Sequence, residues 1–202
     1  MKITIIGAGN GGKAMAADMT LAGHSVTLFE FPQFKENVEA IKEKGGIDLC
    51  GVGRKGFAKL HSITSDIEEA LAETEMIVNV MSAFGHKASA IACAPHLKNG
   101  HTIILNPGST LGSLEYLQIL KEEKVSADIN IADVHTLTYA ARGTGADVRI
   151  LLEVKKLWLA AFPAKQTPKV LEKFKQLFPL TEAGTNVLDV GLNNGNPIAH
   201  PG

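Results

Sequence analysis

The sequence has few cysteines and aromatic residues, no excess of one charge and no long apolar run, and each scarcity argues against a class of protein. Its two cysteines, Cys50 and Cys93, stand in no metal-ligand spacing, so we expect no metal site and a reducing compartment. Twenty basic residues balance 21 acidic ones, which gives no net field to attract nucleic acid or an anionic membrane. Without an apolar run of about 20 residues, no membrane span is expected.

The start of the chain and its composition indicate a cytoplasmic globular protein with small-molecule partners. Met1 leads directly into the strand-like run Lys2–Ile6, without the charged leader and apolar segment of a signal peptide. A chain of 202 residues with 45% apolar side chains can bury a core without disulfides or metals. A homodimer is compatible with these features, but nothing in the sequence specifies one.

The first half of the chain alternates short apolar runs with helical patterns, which is typical of βαβ units. Unbroken β-branched runs indicate buried parallel strands at Lys2–Ile6, Ser25–Phe29, 76–80 and 101–105. The helical patterns between them and after them predict helices over residues 11–22, 34–44, 67–72, 85–97 and 112–123. The expected fold class is α/β, a Rossmann doubly wound and mostly parallel sheet.

Two regions depart from this alternation. Residues 45–65 are punctuated by glycines as hairpin turns would be, and we expect a small β insertion there. Later, residues 147–154 and 157–161 read as two strands, and residues 168–177 read as a helix. The expected organisation is a dinucleotide-binding domain over residues 1–185, followed by the start of another, helical domain over residues 186–202.

A glycine-rich motif lies between the first strand and the first helix. The segment Gly7-Ala8-Gly9-Asn10-Gly11-Gly12 contains G-x-G-x-x-G in the context that binds dinucleotides. The first glycine permits the tight turn, the second lets a pyrophosphate approach the backbone, and the third lets helix and strand pack closely. The N–H groups at the helix start would face the phosphates. We therefore expect this segment to bind the pyrophosphate of NAD.

An acidic residue in the expected place specifies the nucleotide further. Glu30 follows the second strand, eighteen residues after Gly12. A carboxylate there accepts hydrogen bonds from the ribose hydroxyls and repels a 2′-phosphate, so NAD is expected rather than NADP. Lys35 is the one nearby cation that could favour NADP. Glu30 as an ordinary solvated residue at a strand end is the alternative.

The loops after two later strands are the next candidates, because ligands of such sheets lie beyond the carboxyl ends of strands. These loops contribute Ser82, Ala83 and Phe84, and then Asn106 and Pro107, as expected cofactor contacts. Ordinary βα turns would explain the same residues. His86 is more typical of a helix start than of a catalytic group.

Several segments together resemble the opine dehydrogenase family, the octopine and nopaline dehydrogenases, in which a Rossmann domain precedes an all-helical domain. The matching segments are residues 7–12, A-F-G-H at 83–86, N-P-G at 106–108, T-L-T-Y-A-A-R at 136–142 and N-N-G-N-P-I-A-H-P at 193–201. The resemblance extends over essentially the whole chain. It also implies that most of the helical domain lies outside this sequence.

The resemblance implies a reaction and its residues. It assigns hydride transfer on the CH–NH bond of an N-(1-carboxyalkyl) amino acid, or in reverse the reductive joining of an amino acid and a 2-oxo acid. His200 takes the role of the acid/base residue, and Arg142 that of a substrate carboxylate contact, with a structural ion pair as the alternative for Arg142. Asp133 stands where glutamate is expected and Thr138 where proline is expected, which leaves the substrate role of this segment open.

The sequence leaves two other functions open. One is another dehydrogenase with the same two-part layout, of the glycerol-3-phosphate dehydrogenase or ketopantoate reductase type, which usually relies on a catalytic lysine. The other is a nucleotide-sensing module that binds NAD without chemistry. The histidine segment at residues 193–201 favours the opine type over both.

Overall fold

The structure is a computed structural model that describes residues 1–195. Its strands are β1 (Lys2–Ile6), β2 (Ser25–Phe29), β3 (Ile47–Gly51), β4 (Gly56–Ala58), β5 (Ser62–Thr64), β6 (Met76–Asn79), β7 (Thr102–Leu105), β8 (Asn130–Val134), β9 (Tyr139–Thr144), β10 (Asp147–Glu153), β11 (Trp158–Phe162) and β12 (Glu182–Ala183). Its helices are α1 (Asn10–Leu21), α2 (Glu36–Lys44), α3 (Ile67–Leu71), α4 (Ala83–Cys93), α5 (Gly112–Glu122), α6 (Thr167–Phe174) and α7 (Val187–Leu192). The described residues form two compact units, one of residues 1–81 with 139–153 and the other of residues 82–138 with 154–195.

The first unit contains four parallel strands in the order β6-β1-β2-β5. In strand β1, which lies between β2 and β6 and has α1 packed on it, every residue after Lys2 is buried. Ile5 pairs with Leu28 of β2 and Val78 of β6, so one row of the sheet is apolar throughout. Helix α1 packs on β1 and β2. The strand, glycine turn and helix predicted for the cofactor site are therefore present.

A second sheet in the same unit has the order β4-β3-β10-β9 and packs against α1. Strands β3 and β4 confirm a small β element within residues 45–65. The remaining strand of that segment, β5, instead extends the parallel sheet beside β2, so the segment is not one separate element. Strand β9, the antiparallel partner of β10, was not predicted; its buried residues are Tyr139 and Ala141, and the other four are exposed.

The second unit contains strands in the order β12-β11-β8-β7. Strands β7 and β8 are parallel, whereas β11 runs antiparallel to β8. The two runs predicted at 147–154 and 157–161 therefore exist, but they pair with different partners. Asn186 caps α7, with its side chain accepting from the backbone N–H groups of Leu188 and Asp189. The prediction of an α/β fold with mostly parallel strands is confirmed; the domain boundary predicted at residue 185 stays a prediction.

Candidate functional site

The turn between β1 and α1, in the first unit, begins at Gly7, which contacts two other segments. Gly7 has a φ of 98°, which L side chains rarely adopt, and its N–H donates to Phe29 O at 2.9 Å. A Cβ on Gly7 would also lie 2.9 Å from the Cγ of Met81. Glycine at this position is therefore required by both the backbone conformation and the packing.

The other two motif glycines have opposite surroundings. A Cβ on Gly12 would overlap the carbonyl oxygen of Gly7, so Gly12 lets the helix approach the strand. Gly9 is exposed, has an ordinary φ of −66°, and its Cβ would meet nothing within 4 Å. Space beside Gly9 is thus open to a ligand rather than filled by the protein.

The start of α1 is suited to bind an anion. Gly9 is the N-cap residue, no side chain caps the helix, and the first turn contains no acidic residue. Asn10 and Gly11 are half-buried in that turn. Uncapped N–H groups and the positive end of the helix dipole together favour a phosphate here.

Glu30 lies beside this turn and is only 4% exposed. Its Oε2 accepts from the N–H of Ala8 at 2.9 Å and from Asn37 Nδ2 at 3.1 Å, and its Oε1 accepts from the N–H of Phe31 at 2.9 Å. The structure therefore brings Glu30 together with the glycine motif, as the spacing predicted. The Glu30 carboxylate also fixes the backbone at Ala8 and Phe31, which the sequence did not indicate. Because Glu30 is buried, the alternative of a solvated residue at a strand end is excluded.

Lys35, the cation near Glu30 that could favour NADP, forms an ion pair on the surface. Lys35 Nζ lies 3.9 Å from Glu39 Oε1, and both side chains are more than half exposed. Such a pair is weak in water. Among residues 1–195, no lysine or arginine forms an ion pair with Glu30.

The second unit carries the predicted loop residues. Ser82 is the N-cap residue of α4 and makes no side-chain capping bond, while Ala83 and the 98% exposed Phe84 form the first turn. Asn106 is fully buried, and Pro107 is half-buried. His86 lies in the interior on α4, beside Gly112 of α5.

Asn106 is fixed by a reciprocal pair of hydrogen bonds. Its Nδ2 donates to Thr138 Oγ1 at 2.7 Å, and its Oδ1 accepts from the N–H of Thr138 at 3.1 Å. Thr138, where proline was expected, provides the hydroxyl and the N–H that proline lacks. The departure from the family pattern thus has a structural function that sequence reasoning missed.

Asp133 is a buried carboxyl that holds the start of α5. Its Oδ1 accepts from the N–H of Ser113 at 3.0 Å and its Oδ2 from Ser113 Oγ at 2.8 Å. The backbone of Gly108 packs directly on its side chain, leaving no room for a Cβ. Burial raises the pKa of Asp133 to about 7, and the hydrogen bonds from Ser113 oppose that rise.

Arg142 lies on the exposed face of β9, in the first unit. Its Nη1 donates to the carbonyl of Ala141 at 2.8 Å, and Arg149 stands directly opposite it on β10. In the part of the chain that the structure describes, Arg142 forms no ion pair. The structural ion pair considered for Arg142 is therefore not formed.

The predicted catalytic residue His200 lies outside the described residues. Earlier in the same segment, Asn193 is the C-cap residue of α7, and its Nδ2 donates to the carbonyl and the carboxylate of Asp189 at 2.9 Å. Within residues 1–195, no group of three or more His, Cys, Asp or Glu side chains is arranged to hold a metal ion. In the same range no helix has the length and apolar character needed to span a bilayer.

Comparison with known proteins agrees with the architecture. Residues 2–134 match the family model described as the NAD-dependent glycerol-3-phosphate dehydrogenase N-terminus. The opine dehydrogenase of Arthrobacter sp. (strain 1C) is 31% identical over 198 residues, which is 98% of this chain and 54% of that protein. The chain therefore spans about half the length of this relative.

Solved structures give the same picture of the fold. Octopine dehydrogenase with NADH and pyruvate superposes with a TM-score of 0.82 at 18% identity, over 98% of this chain and 53% of that one. Yersinopine dehydrogenase with NADP⁺ bound gives a TM-score of 0.77 at 14% identity, over 100% and 51%. The Rossmann-type fold and the resemblance to opine dehydrogenases are confirmed.

Proposed function

Because this chain belongs to the family of the NAD-dependent glycerol-3-phosphate dehydrogenase N-terminus, we propose that its first unit binds the adenosine and pyrophosphate part of NAD. The observation that carries this proposal is the uncapped start of α1 beside the buried carboxylate of Glu30. A phosphate suits the helix start, and ribose hydroxyls suit the carboxylate. The open space at Gly9 gives the pyrophosphate access to the backbone.

In this proposal, the glycine motif and Glu30 bind different parts of NAD. The backbone around Gly9, Asn10 and Gly11 supplies N–H donors to the phosphates, and Glu30 accepts from the ribose. The same carboxylate disfavours a 2′-phosphate, which leads to a preference for NADH over NADPH. The predicted contacts of Ser82, Ala83, Phe84, Asn106 and Pro107 with the cofactor stay predictions.

The reaction we propose is of the opine dehydrogenase type, in which a hydride is exchanged with the CH–NH carbon of an N-(1-carboxyalkyl) amino acid. The support is the similarity to the Arthrobacter relative and the N-P-x-x-H-P segment ending at Pro201. NAD supplies the hydride chemistry when it is bound. His200 exchanges the proton, since an imidazole titrates near neutral pH, and Arg142 binds a substrate carboxylate.

Two experiments test the proposal at its two levels. Calorimetric titration of the 202-residue chain with NADH and NADPH tests the cofactor, and equal or tighter binding of NADPH would contradict the role of Glu30. A steady-state assay of NADH consumption with mixed amino acids and 2-oxo acids tests the reaction, in the protein that contains this chain together with any further domain. There, His200→Ala should lower kcat by about 10² to 10⁴ and leave NADH affinity nearly intact.

The family model favours a second candidate, a dehydrogenase of the glycerol-3-phosphate type, because it matches residues 2–134. That reaction moves hydride at a carbon bearing oxygen instead of nitrogen. The same assay separates the two: turnover with glycerol 3-phosphate and NAD⁺, without turnover of amino acid and 2-oxo acid mixtures, would favour the second candidate.

A further inference from the structure

The Glu30 carboxylate has a third donor whose position the sequence motif does not specify. Asn37, at the start of α2, donates from Nδ2 to Glu30 Oε2 at 3.1 Å. The other two donors are the backbone N–H groups of Ala8 and Phe31. Asn37 is therefore the side chain among residues 1–195 that holds this carboxylate.

The hydrogen-bond count around Glu30 leaves room for one further donor. A carboxylate offers about four acceptor sites, and three are used by the protein. A ribose hydroxyl can donate to the remaining site, whereas a 2′-phosphate brings only acceptors and negative charge. NADH offers two hydroxyl donors at this ribose and NADPH only the 3′-hydroxyl, so the arrangement distinguishes the two nucleotides by the number of donors as well as by charge.

The neutral character of Asn37 matters for the same reason. An amide fixes the carboxylate without cancelling its charge, whereas lysine or arginine at this place would neutralise it. Lys35, the nearby cation, is exposed and paired with Glu39. The charge on Glu30 is consequently uncompensated by any ion pair formed among the described residues, in a place where water screens it little.

We propose that Asn37 is a specificity-determining positioning residue, which orients the Glu30 carboxylate toward the adenosine ribose and so favours NADH over NADPH. The proposal rests on the proposed nucleotide-binding function of the first unit. Within residues 1–195 the Asn37 side chain makes no hydrogen bond other than that to Glu30. Its carbonyl oxygen is thus left to accept from a second ribose hydroxyl.

The test compares three substitutions on α2 in the 202-residue chain. Asn37→Leu keeps the size and removes the donor, Asn37→Gln keeps the amide donor, and Glu43→Gln alters an exposed position on the same helix. Calorimetry gives the dissociation constants of NADH and NADPH for each variant, and thermal unfolding shows whether each variant is folded.

A hydrogen bond to a charged group changes a binding constant by about tenfold. We expect Asn37→Leu to lower the NADH preference by about tenfold, with Asn37→Gln and Glu43→Gln retaining most of it.

The outcomes separate this inference from the function on which it rests. If the unchanged chain prefers NADH and Asn37→Leu leaves the ratio of the two dissociation constants as it was, Asn37 is structural. This result, with or without a lower unfolding temperature, overturns the inference while the proposed function stands. If the unchanged chain binds neither nucleotide, the proposed function itself fails and the inference with it.

Discussion

The carbonyl oxygen of Gly7 fills the space that a Cβ on Gly12 would need. Five residues apart in sequence, these two glycines let the first turn of α1 lie directly against the end of β1. Gly9, between them, faces open space instead. One motif therefore contains a packing requirement and a ligand requirement, and substitutions can separate them.

Gly9→Val should abolish tight NADH binding and spare the fold, whereas Gly12→Ala should destabilise the fold itself. A valine at position 9 would occupy the approach to the helix start, and we expect an affinity loss on the order of 100-fold. An alanine at position 12 must displace backbone, which costs on the order of 1–3 kcal/mol. Calorimetry and urea unfolding measure the two effects. Unchanged NADH binding by a well-folded Gly9→Val chain would mean that the nucleotide site lies elsewhere.

Glu30→Ala should narrow the difference between NADH and NADPH affinity and also lower stability. The first effect follows from the lost charge beside the ribose. The second follows because the N–H groups of Ala8 and Phe31 lose their acceptor, at about 1–3 kcal/mol for a buried donor left unpaired. Glu30→Gln removes the charge but keeps the shape, so it should narrow the affinity difference with a smaller loss of stability. A chain with Glu30→Ala that keeps its full NADH preference would contradict the assignment.

The cofactor part of the site was predictable because its signals are local. Gly7, Gly9, Gly12 and Glu30 stand at spacings that geometry dictates for a strand, a turn, a helix and the end of the next strand. The structure brings them together in one unit as that spacing requires. Parallel strands with unbroken β-branched runs were predictable for the same reason.

The unpredicted parts depend on contacts between residues distant in sequence. Strand β9 contains alanines and a glycine, a composition with weak strand preference, and it exists because β10 pairs with it. Strand β5 has three residues, too few for a pattern. The pairing of Asn106 with Thr138 spans 32 residues, and no periodicity indicates it.

Tyr139→Phe should cost about 1–3 kcal/mol of unfolding free energy, because its hydroxyl donates to a buried carboxylate. Tyr139 is 1% exposed, and its OH lies 2.8 Å from Asp18 Oδ2, which Arg54 also contacts at 2.9 Å. Burial and the charge of Asp18 raise the pKa of Tyr139, so the hydroxyl keeps its proton. Tyr116→Phe is the matched control, since Tyr116 is equally buried but bonds the neutral Ser89 at 3.1 Å. Equal losses in urea unfolding would show that the charge of Asp18 adds nothing.

Asp133→Asn should make the protein's stability less dependent on pH. Burial raises the folded-state pKa of Asp133 from 3.8 to about 7, so the folded state binds a proton that the unfolded chain releases. Proton binding by Asp133 therefore stabilises the fold fully below about pH 4. This contribution to the free energy of unfolding, at most about 4 kcal/mol, is lost as the pH rises to about 7.

Asparagine keeps an acceptor for the N–H of Ser113 and never ionises. The free energy of unfolding of the variant relative to the unchanged chain should therefore increase from pH 4 to 7 and then level off. Urea unfolding at several pH values measures this, with the exposed Asp128→Asn as a control for the loss of one surface carboxylate. A difference for Asp133→Asn that does not change with pH would mean that the carboxyl ionises in the fold as easily as in the unfolded chain.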